Sequence, residues 1–427
     1  MADRDVTPDD SLLKQIFTTN QPETISIFLQ NWDKCVFKAE FPKGLEDRHS
    51  ACVVRLEAEN DNLKTFTTIA AIQQIAAIII PELVPQTLQV GKAKNSQGRM
   101  FHFSVIELVE GDLLEDVWQQ MSAEEQSSVV AELVEALEKL HSVRLSDKGV
   151  KEILGKTLRE EGDEVLKSFE QPGAFGGPHT GFLNDGPALL DSIMERRKLK
   201  KPFCTMESIV GSQDIRIQSS FKELGSIVIN NSDIDKWPGE AVLCHNDPNP
   251  RNLILQSRAS SGGKSKYKLA GIIDWELAGF YPASYELSLQ DTYLSGANRH
   301  VSFYLLLKEH MKNFVPRSLS QIVLLQAMEL IFESQQRLLL DGTNIPAHIR
   351  KRFMENSKLA RDNDPYVGWT RSPQDGPFPE YSSAAIQKLE DDVIEEMVAR
   401  RNLKANRNST AKALDCITRY ISRYFGI

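Results

Sequence analysis

Two short stretches of the chain carry residue types and spacings that can do chemistry. The first is Leu243-Cys244-His245-Asn246-Asp247-Pro248-Asn249-Pro250-Arg251-Asn252-Leu253-Ile254-Leu255. An apolar run opens it, a polar loop punctuated by Pro248 and Pro250 fills it, and a second apolar run closes it. That pattern reads as strand, exposed loop and strand. The loop offers His245, Asp247 and Asn252 in the order H-x-D-x-x-x-x-N. The second stretch, Gly271-Ile272-Ile273-Asp274-Trp275-Glu276, ends an apolar strand from Leu269 to Ile273 on a carboxylate. Phosphoryl transfer from a nucleotide requires one carboxylate beside the acceptor hydroxyl and two oxygen ligands for a hard divalent cation. Asp247 meets the first requirement, and Asn252 with Asp274 the second. The plainer alternative is a surface turn in which Asp247 caps its own backbone. Three ordered polar residues framed by apolar strands and followed by Ile-Asp-Trp-Glu argue against it. His245 is expected to be buried and to bond loop backbone. Glu276 either orients a neighbour or pairs with a cation.

Composition sets the bounds. The 427 residues suffice for one large two-lobed unit or two to three ordinary domains. Hydrophobic residues at 41% and charged residues at 26% describe an ordinary soluble globular chain. A formal net charge of −9 disfavours a general binder of nucleic acid or membrane surface, both of which are anionic. The five cysteines (Cys35, Cys52, Cys204, Cys244, Cys416) are scattered, with no C-x-x-C pair, and are expected to be reduced thiols. Met1-Ala2-Asp3-Arg4-Asp5 lacks the apolar core of a signal peptide, and the run Ile75 to Ile80 is too short to span a bilayer. The expectation is a cytoplasmic protein with neither a membrane nor a nucleic-acid partner.

The loop H-x-D-x-x-x-x-N, together with Ile273-Asp274-Trp275-Glu276, resembles the aminoglycoside phosphotransferase and choline kinase-like superfamily. The similarity is greatest to its eukaryotic, largely fungal branch and runs over roughly residues 20 to 350. It implies an α+β, protein-kinase-like two-lobed fold. Residues 1–19 are then a polar leader, 20–110 an antiparallel-sheet N-lobe, and 111–427 a mainly helical C-lobe. The C-lobe holds the catalytic loop 243–255, the metal motif 271–276, a helical insertion and a helical tail. The implied activity is transfer of the γ-phosphate of ATP, with Mg2+, to a hydroxyl of a small molecule. Asp247 would act as base, Asn252 and Asp274 would hold the metal, and the nucleotide would sit between the lobes. Arg55 stands on the third strand, where the family places a basic residue that reaches the phosphates. Glu57 and Glu59 compete to pair with it, and Glu59 is preferred. Phe101 to Gly111 resembles the hinge, with backbone groups of Glu107, Leu108 and Val109 offered to adenine. The first turn, Asn31-Trp32-Asp33-Lys34, departs from protein kinases by lacking their glycines. The rival from another class is a pseudokinase-like, nucleotide-binding regulatory protein, disfavoured because Asp247, Asn252 and Asp274 are all present. A protein acceptor is disfavoured because only about a dozen residues separate Asp274 from the next helical region, too few for an activation segment.

Other elements must position these residues. Strands are expected over 25–29, 35–41 and 51–56, then a helix over 60–76, then strands over 87–90 and 100–108. Ser122 and Glu125 form a capping box opening a helix that ends at His141. Residues 146–211, rich in glycine and proline, suggest helices over 158–168 and 188–197 and a place for an acceptor-binding lid. Ile217, Phe221, Leu224 and Val228 predict a helix over 215–229. Gly263-Lys264-Ser265 is a hairpin tip rather than a P-loop, since Arg258 stands where the first glycine belongs. Helices over 301–311, 320–340 and 384–401 and an amphipathic tail complete the chain.

Overall fold

Alternating apolar side chains fold residues 24–107 into one antiparallel sheet. Its strands are β1 (Thr24–Gln30), β2 (Lys34–Glu40), β3 (Ala51–Ala58), β4 (Thr87–Lys94) and β5 (Met100–Glu107), in the order β1-β2-β3-β5-β4. Cys35, Phe37 and Ala39 of β2, Cys52, Val54 and Leu56 of β3, and Phe101, Phe103 and Val105 of β5 are buried together, as a period of two requires. Helix α1 (Asp10–Ile16) joins that core through Leu12 and Ile16, four residues apart on one helical face. Asp9 caps it by accepting from the Leu12 N–H at 2.9 Å. Residues expected to form a polar leader therefore contribute to a core. Helix α2 (Phe66–Ile79) packs beside β4 and β5, and its buried Gln73 donates to the Pro85 carbonyl at 2.6 Å. Burial pushes the thiols of Cys35 and Cys52 up to about 11, and both are free.

The structure is a computed structural model that describes residues 6–42, 50–59, 66–161, 163–257, 267–379 and 381–405. These divide into two units, one ending at Glu110 and the other spanning Gly111–Ala399. Parts of the expected turn after Pro42 and of the helix start after Asn60, the hairpin tip at 260–265 and the tail beyond Ala405 lie outside the described residues. No helix among the described residues is long and apolar enough to cross a membrane.

The second unit begins with β6 (Asp112–Leu113) and α3 (Leu114–Val117). Helix α4 (Ala123–His141) starts where its capping box predicts: Glu125 accepts from the Ser122 N–H at 2.9 Å while Ser122 Oγ accepts from the Glu125 N–H. Helices α5 (Lys148–Glu161) and α6 (Asp163–Glu170) lead to a hairpin of β7 (Phe175–Gly177) and β8 (Gly181–Leu183), then to α7 (Gly186–Arg196). The expected helix over 215–229 is instead sheet: β9 (Cys204–Ser208), β10 (Ile215–Ser219) and β11 (Ser226–Ile229) pair antiparallel. Ile215, Ile217 and Ser219 are buried while Arg216 and Gln218 are exposed, a period of two. The helix-like spacing arose because Ile217 and Val228 sit on different strands, separated by a turn through Gly225 at φ +69°.

Two short helices, α8 (Asn231–Ile234) and α9 (Trp237–Glu240), precede the strands that carry the site: β12 (Ala241–Cys244), β13 (Leu253–Ser257), β14 (Tyr267–Ile272) and β15 (Gly279–Pro282). Their sheets run β12-β15-β7-β8 and β14-β13-β6. Then come α10 (Ala283–Tyr293), α11 (Val301–Met311), α12 (Leu319–Asp341), α13 (Ile345–Asn356), the hairpin β16 (Leu359–Arg361) and β17 (Trp369–Arg371), and α14 (Ser383–Ala405).

Candidate active site

Strand register brings three loops to one end of a sheet. Cys244 pairs with Gly279, and Phe280 with Gly176, both antiparallel. The loops after Cys244, before Gly279 and after Gly177 therefore leave together. Gly177 is required there: a Cβ would lie 2.7 Å from the Ala278 carbonyl oxygen and 2.8 Å from Gly279 Cα. In the neighbouring sheet Leu253 pairs with Ile272, and the Ile273 N–H donates to the Asn252 carbonyl at 2.9 Å. Asn252 and Asp274 thus become neighbours, although 22 positions separate them in sequence.

The loop after Cys244 is held from inside. Glu286 of α10 is fully buried and its Oε1 accepts from the backbone N–H groups of His245 (3.1 Å) and Asn246 (2.9 Å). Its Oε2 lies 2.6 Å from His141 Nε2. Burial pushes the Glu286 pKa up, but the bond from His141 and the loop amides outweigh this and hold it below the usual carboxylate range. The ligand atoms of His141, Cys244 and Glu286 all lie within 4.8 Å of one another. Yet both Glu286 oxygens already accept hydrogen bonds, and burial keeps the Cys244 thiol protonated, so this cluster is an anchor for the loop. Asn246 takes the left-handed conformation at φ +66°, with its Nδ2 donating to the Leu277 carbonyl at 2.9 Å. The Tyr293 hydroxyl donates to the Asn246 carbonyl.

Asp247 occupies the centre of this loop. Asn249 Nδ2 donates to its Oδ1, and Asn252 Nδ2 donates both to its Oδ2 and to its carbonyl, each at 2.9 Å. Asn249 is fixed in turn by the Tyr304 hydroxyl, 2.5 Å from its Oδ1. The Asp247 N–H donates to His245 Nδ1 at 3.1 Å, so the ring proton resides on Nε2, which donates to the Ile273 carbonyl at 3.1 Å. His245 is buried and edge-on to Trp275, and burial lowers its pKa, in keeping with that neutral tautomer. Burial likewise raises the Asp247 pKa to about 7; Arg251 opposes the rise and Asp274 adds to it. Asp274, two residues beyond β14, takes the left-handed conformation at φ 64°, ψ 67°, which Asp tolerates better than most residues.

Asp247, Asn252 and Asp274 are thus drawn together by the fold. Motif reasoning passed over Asn249, Glu286, Tyr293 and Tyr304, which hold the loop. Only Glu286 left a trace in the sequence, as a carboxylate flanked by Tyr285 and Leu287 in an apolar helix.

In the first unit, Arg55 lies on the β3 face opposite the buried Val54 and Leu56. Glu57, not Glu59, pairs with it: Arg55 Nε donates to Glu57 Oε1 at 2.6 Å. Residues two apart on a strand share a face. Glu59 follows the strand and takes Lys92 Nζ at 2.9 Å. The Arg55 guanidinium also lies 5.7 Å from the Phe66 ring centroid. Glu107 ends β5 with its N–H committed to the Gln86 carbonyl at 3.0 Å, while Leu108 and Val109 follow outside any strand or helix.

A family model described as "Phosphotransferase enzyme family" matches residues 45–293, more than half of the chain. No curated protein matches it. Among solved structures, the chain is similar to the streptomycin–ATP–APH(2")-IIa ternary complex, at 13% identity over 79% of this chain and 94% of that one, with a TM-score of 0.41. It is similar also to the GDP complex of wild-type aminoglycoside 2'-phosphotransferase-IIIa, at 13% identity over 91% and 100%, with a TM-score of 0.35. ADP-bound APH(2'')-Ib matches at 13% identity over 76% and 96%, with a TM-score of 0.32. The fold is α+β, with an antiparallel sheet in the first unit and a mainly helical second unit.

Proposed function

The chain belongs to the phosphotransferase enzyme family, and from that premise we propose that it moves the γ-phosphate of ATP to a hydroxyl of a small molecule. Asp247 is the base. Its carboxylate, steadied by Asn249 and Asn252, orients the acceptor hydroxyl. It takes the proton as the hydroxyl oxygen bonds to the γ-phosphorus and the bond to the β-bridging oxygen breaks. A pKa raised by burial to about 7 suits this role, because such a carboxylate ionises near neutral pH yet retains affinity for a proton.

Asn252 and Asp274 hold magnesium, which when bound neutralises charge on the phosphates. The donor set fits a hard cation: with Nδ2 committed to Asp247, Asn252 offers its Oδ1, and Asp274 adds a carboxylate from the adjoining strand end. In the first unit Arg55 meets phosphate, its guanidinium steadied by Glu57, and the backbone of Leu108 and Val109 meets adenine. A small acceptor is favoured because β15 begins at Gly279 and α10 at Ala283, leaving no room after Asp274 for a segment that docks a protein.

The observation that carries this reading is the Asn252 amide spanning the carboxylate and the carbonyl of Asp247. The test compares wild type with Asp247→Asn at saturating MgATP, reading product formation over a broad set of hydroxylated acceptors. Equal rates would remove Asp247 from the chemistry. Tight nucleotide binding without transfer to any acceptor by wild type would favour a nucleotide-binding regulatory protein.

A further inference from the structure

Beside the catalytic loop the second unit gathers cations that its own carboxylates do not balance. Helix α7 ends in Arg196 and Arg197. The Arg197 guanidinium lies 4.8 Å from the centroid of Phe332 on α12, and Arg350 of α13 lies 4.8 Å from the same ring. Arg350 and Arg361 in turn lie 5.9 and 5.2 Å from the Trp369 ring. Stacking on aromatic faces offsets part of the cost of gathering these charges.

The nearby acids are already engaged. Asp291 accepts from Lys308 (2.5 Å) and Arg361 (2.9 Å), Glu329 from Arg361 (2.8 Å), and Glu333 lies 3.8 Å from Arg350. Glu276, on the loop after Asp274, acts on His179. Among the described residues, no carboxylate pairs with Arg196 or Arg197. Arg197 donates to Gln335 Oε1 at 3.3 Å and Arg196 to Ser192 Oγ at 3.4 Å, both neutral acceptors. Nε and one terminal nitrogen of Arg350 are buried without a hydrogen-bond acceptor. Cations half withdrawn from water without counter-charge are costly, and an anionic ligand would remove that cost.

Their position relates them to Asp247. Arg361 donates to Asp291 near the end of α10, and Tyr293, two residues on, donates to the Asn246 carbonyl next to Asp247. Arg196 and Arg197 also act on His179, in the turn between β7 and β8 that leaves the sheet at the same end as the catalytic loop. His179 and Arg196 reach solvent, yet burial is the first cause of the lowered pKa of each. Arg197 and Arg350 are half-buried, so this arginine cluster meets water at Arg196.

We propose that the acceptor carries, besides its hydroxyl, a carboxylate or phosphate group, and that Arg197, with Arg196 at the rim and Arg350 behind, receives it. This rests on the phosphotransferase reading of Asp247. A polycationic acceptor is disfavoured, because it would meet like charge on this side of the loop.

The experiment measures binding to the full-length protein by calorimetry, with glucose as the neutral reference. D-Gluconate, D-glucose 6-phosphate and kanamycin are the carboxylate, phosphate and polycationic probes. Each is then assayed for phosphorylation with MgATP. Wild type should bind gluconate or glucose 6-phosphate at least tenfold tighter than glucose, and whichever wins identifies the anionic group. In Arg197→Gln that advantage should fall to threefold or less, and Arg197→Lys should keep part of it. Arg350→Gln should reduce it as well. A merely structural arginine would shift the thermal midpoint without ligand but leave this selectivity intact. The proposal is overturned if wild type binds neither anion better than glucose, if it binds kanamycin more tightly than both, or if Arg197→Gln keeps the full advantage. Anion-selective binding with no phosphorylated product from any probe would count against the phosphotransferase reading while leaving the assignment of the anion to the arginine cluster standing.

Discussion

The loop after Cys244 and the arginine cluster of Arg196, Arg197 and Arg350 belong to one unit and are built on opposite terms. In the loop the two buried carboxylates are matched internally: Glu286 takes two backbone amides and His141, and Asp247 takes Asn249 and Asn252, while Asn246 Oδ1 and His141 Nδ1 are buried without a partner. In the arginine cluster Arg196 and Arg197 have no carboxylate partner among the described residues, and buried nitrogens of Arg350 lack acceptors. Matched groups fix a geometry before any ligand arrives, which is what a reacting centre needs. Unmatched cations leave a region whose electrostatics a ligand must complete, and so select among ligands.

The comparison breaks first at Asp247. Asp247→Asn keeps the size and removes the charge, so transfer should fall by roughly two to four orders of magnitude with near-normal MgATP affinity. Rates within tenfold of wild type would mean that the matched loop is scaffold only. Glu286→Ala tests the anchor. It strands two buried amides and His141, and the protein should lose about 3–5 kcal/mol of stability. Denaturant titration showing less than 1 kcal/mol would indicate that other contacts hold the loop.

Smaller effects sharpen the contrast. Asp274→Ala should abolish the magnesium-dependent part of nucleotide binding, and calorimetry showing unchanged MgATP affinity would sink the metal assignment. Arg55→Ala should weaken nucleotide binding by about tenfold, with Arg55→Lys recovering part, because a fork of donors is replaced by a point charge. Equal affinity in all three forms would return Arg55 to an ion pair with Glu57. The subtlest readout is His179, whose pKa is lowered from 6.5 to about 4 by burial first and then by Arg196. Between those values the unfolded chain binds a proton that the folded chain does not, so stability should decline as pH falls from about 6.5 toward 4. In an NMR titration, gluconate bound at Arg196 and Arg197 should move the His179 pKa upward. An unmoved pKa at saturating gluconate would place the anion elsewhere.

Some of this was legible in the chain as written. Apolar runs around H-x-D-x-x-x-x-N, the strand delivering Asp274 and the capping box at Ser122 are local patterns, and local patterns follow from backbone sterics and hydrogen bonding among near neighbours. They located Asp247, Asn252 and Asp274 and the elements that carry them. Spacing alone misled at 215–229, where two strands imitate a helical period, and the polar composition of residues 1–19 masked Leu12 and Ile16, which join a core.

The partner of Arg55 was decided by strand pleating, which puts Glu57 on its face and sends Glu59 to Lys92. The Glu286 anchor, the exit of His179 at the same sheet end as the loop after Cys244, and the stacking of Arg197 and Arg350 on Phe332 join residues from distant parts of the chain. No short-range rule carries information about such meetings. The sequence by itself determined the chemistry on offer, since residue type and local spacing set it. Tertiary structure alone decided which charges are matched and which are not, because pairing depends on distances that only the folded chain creates.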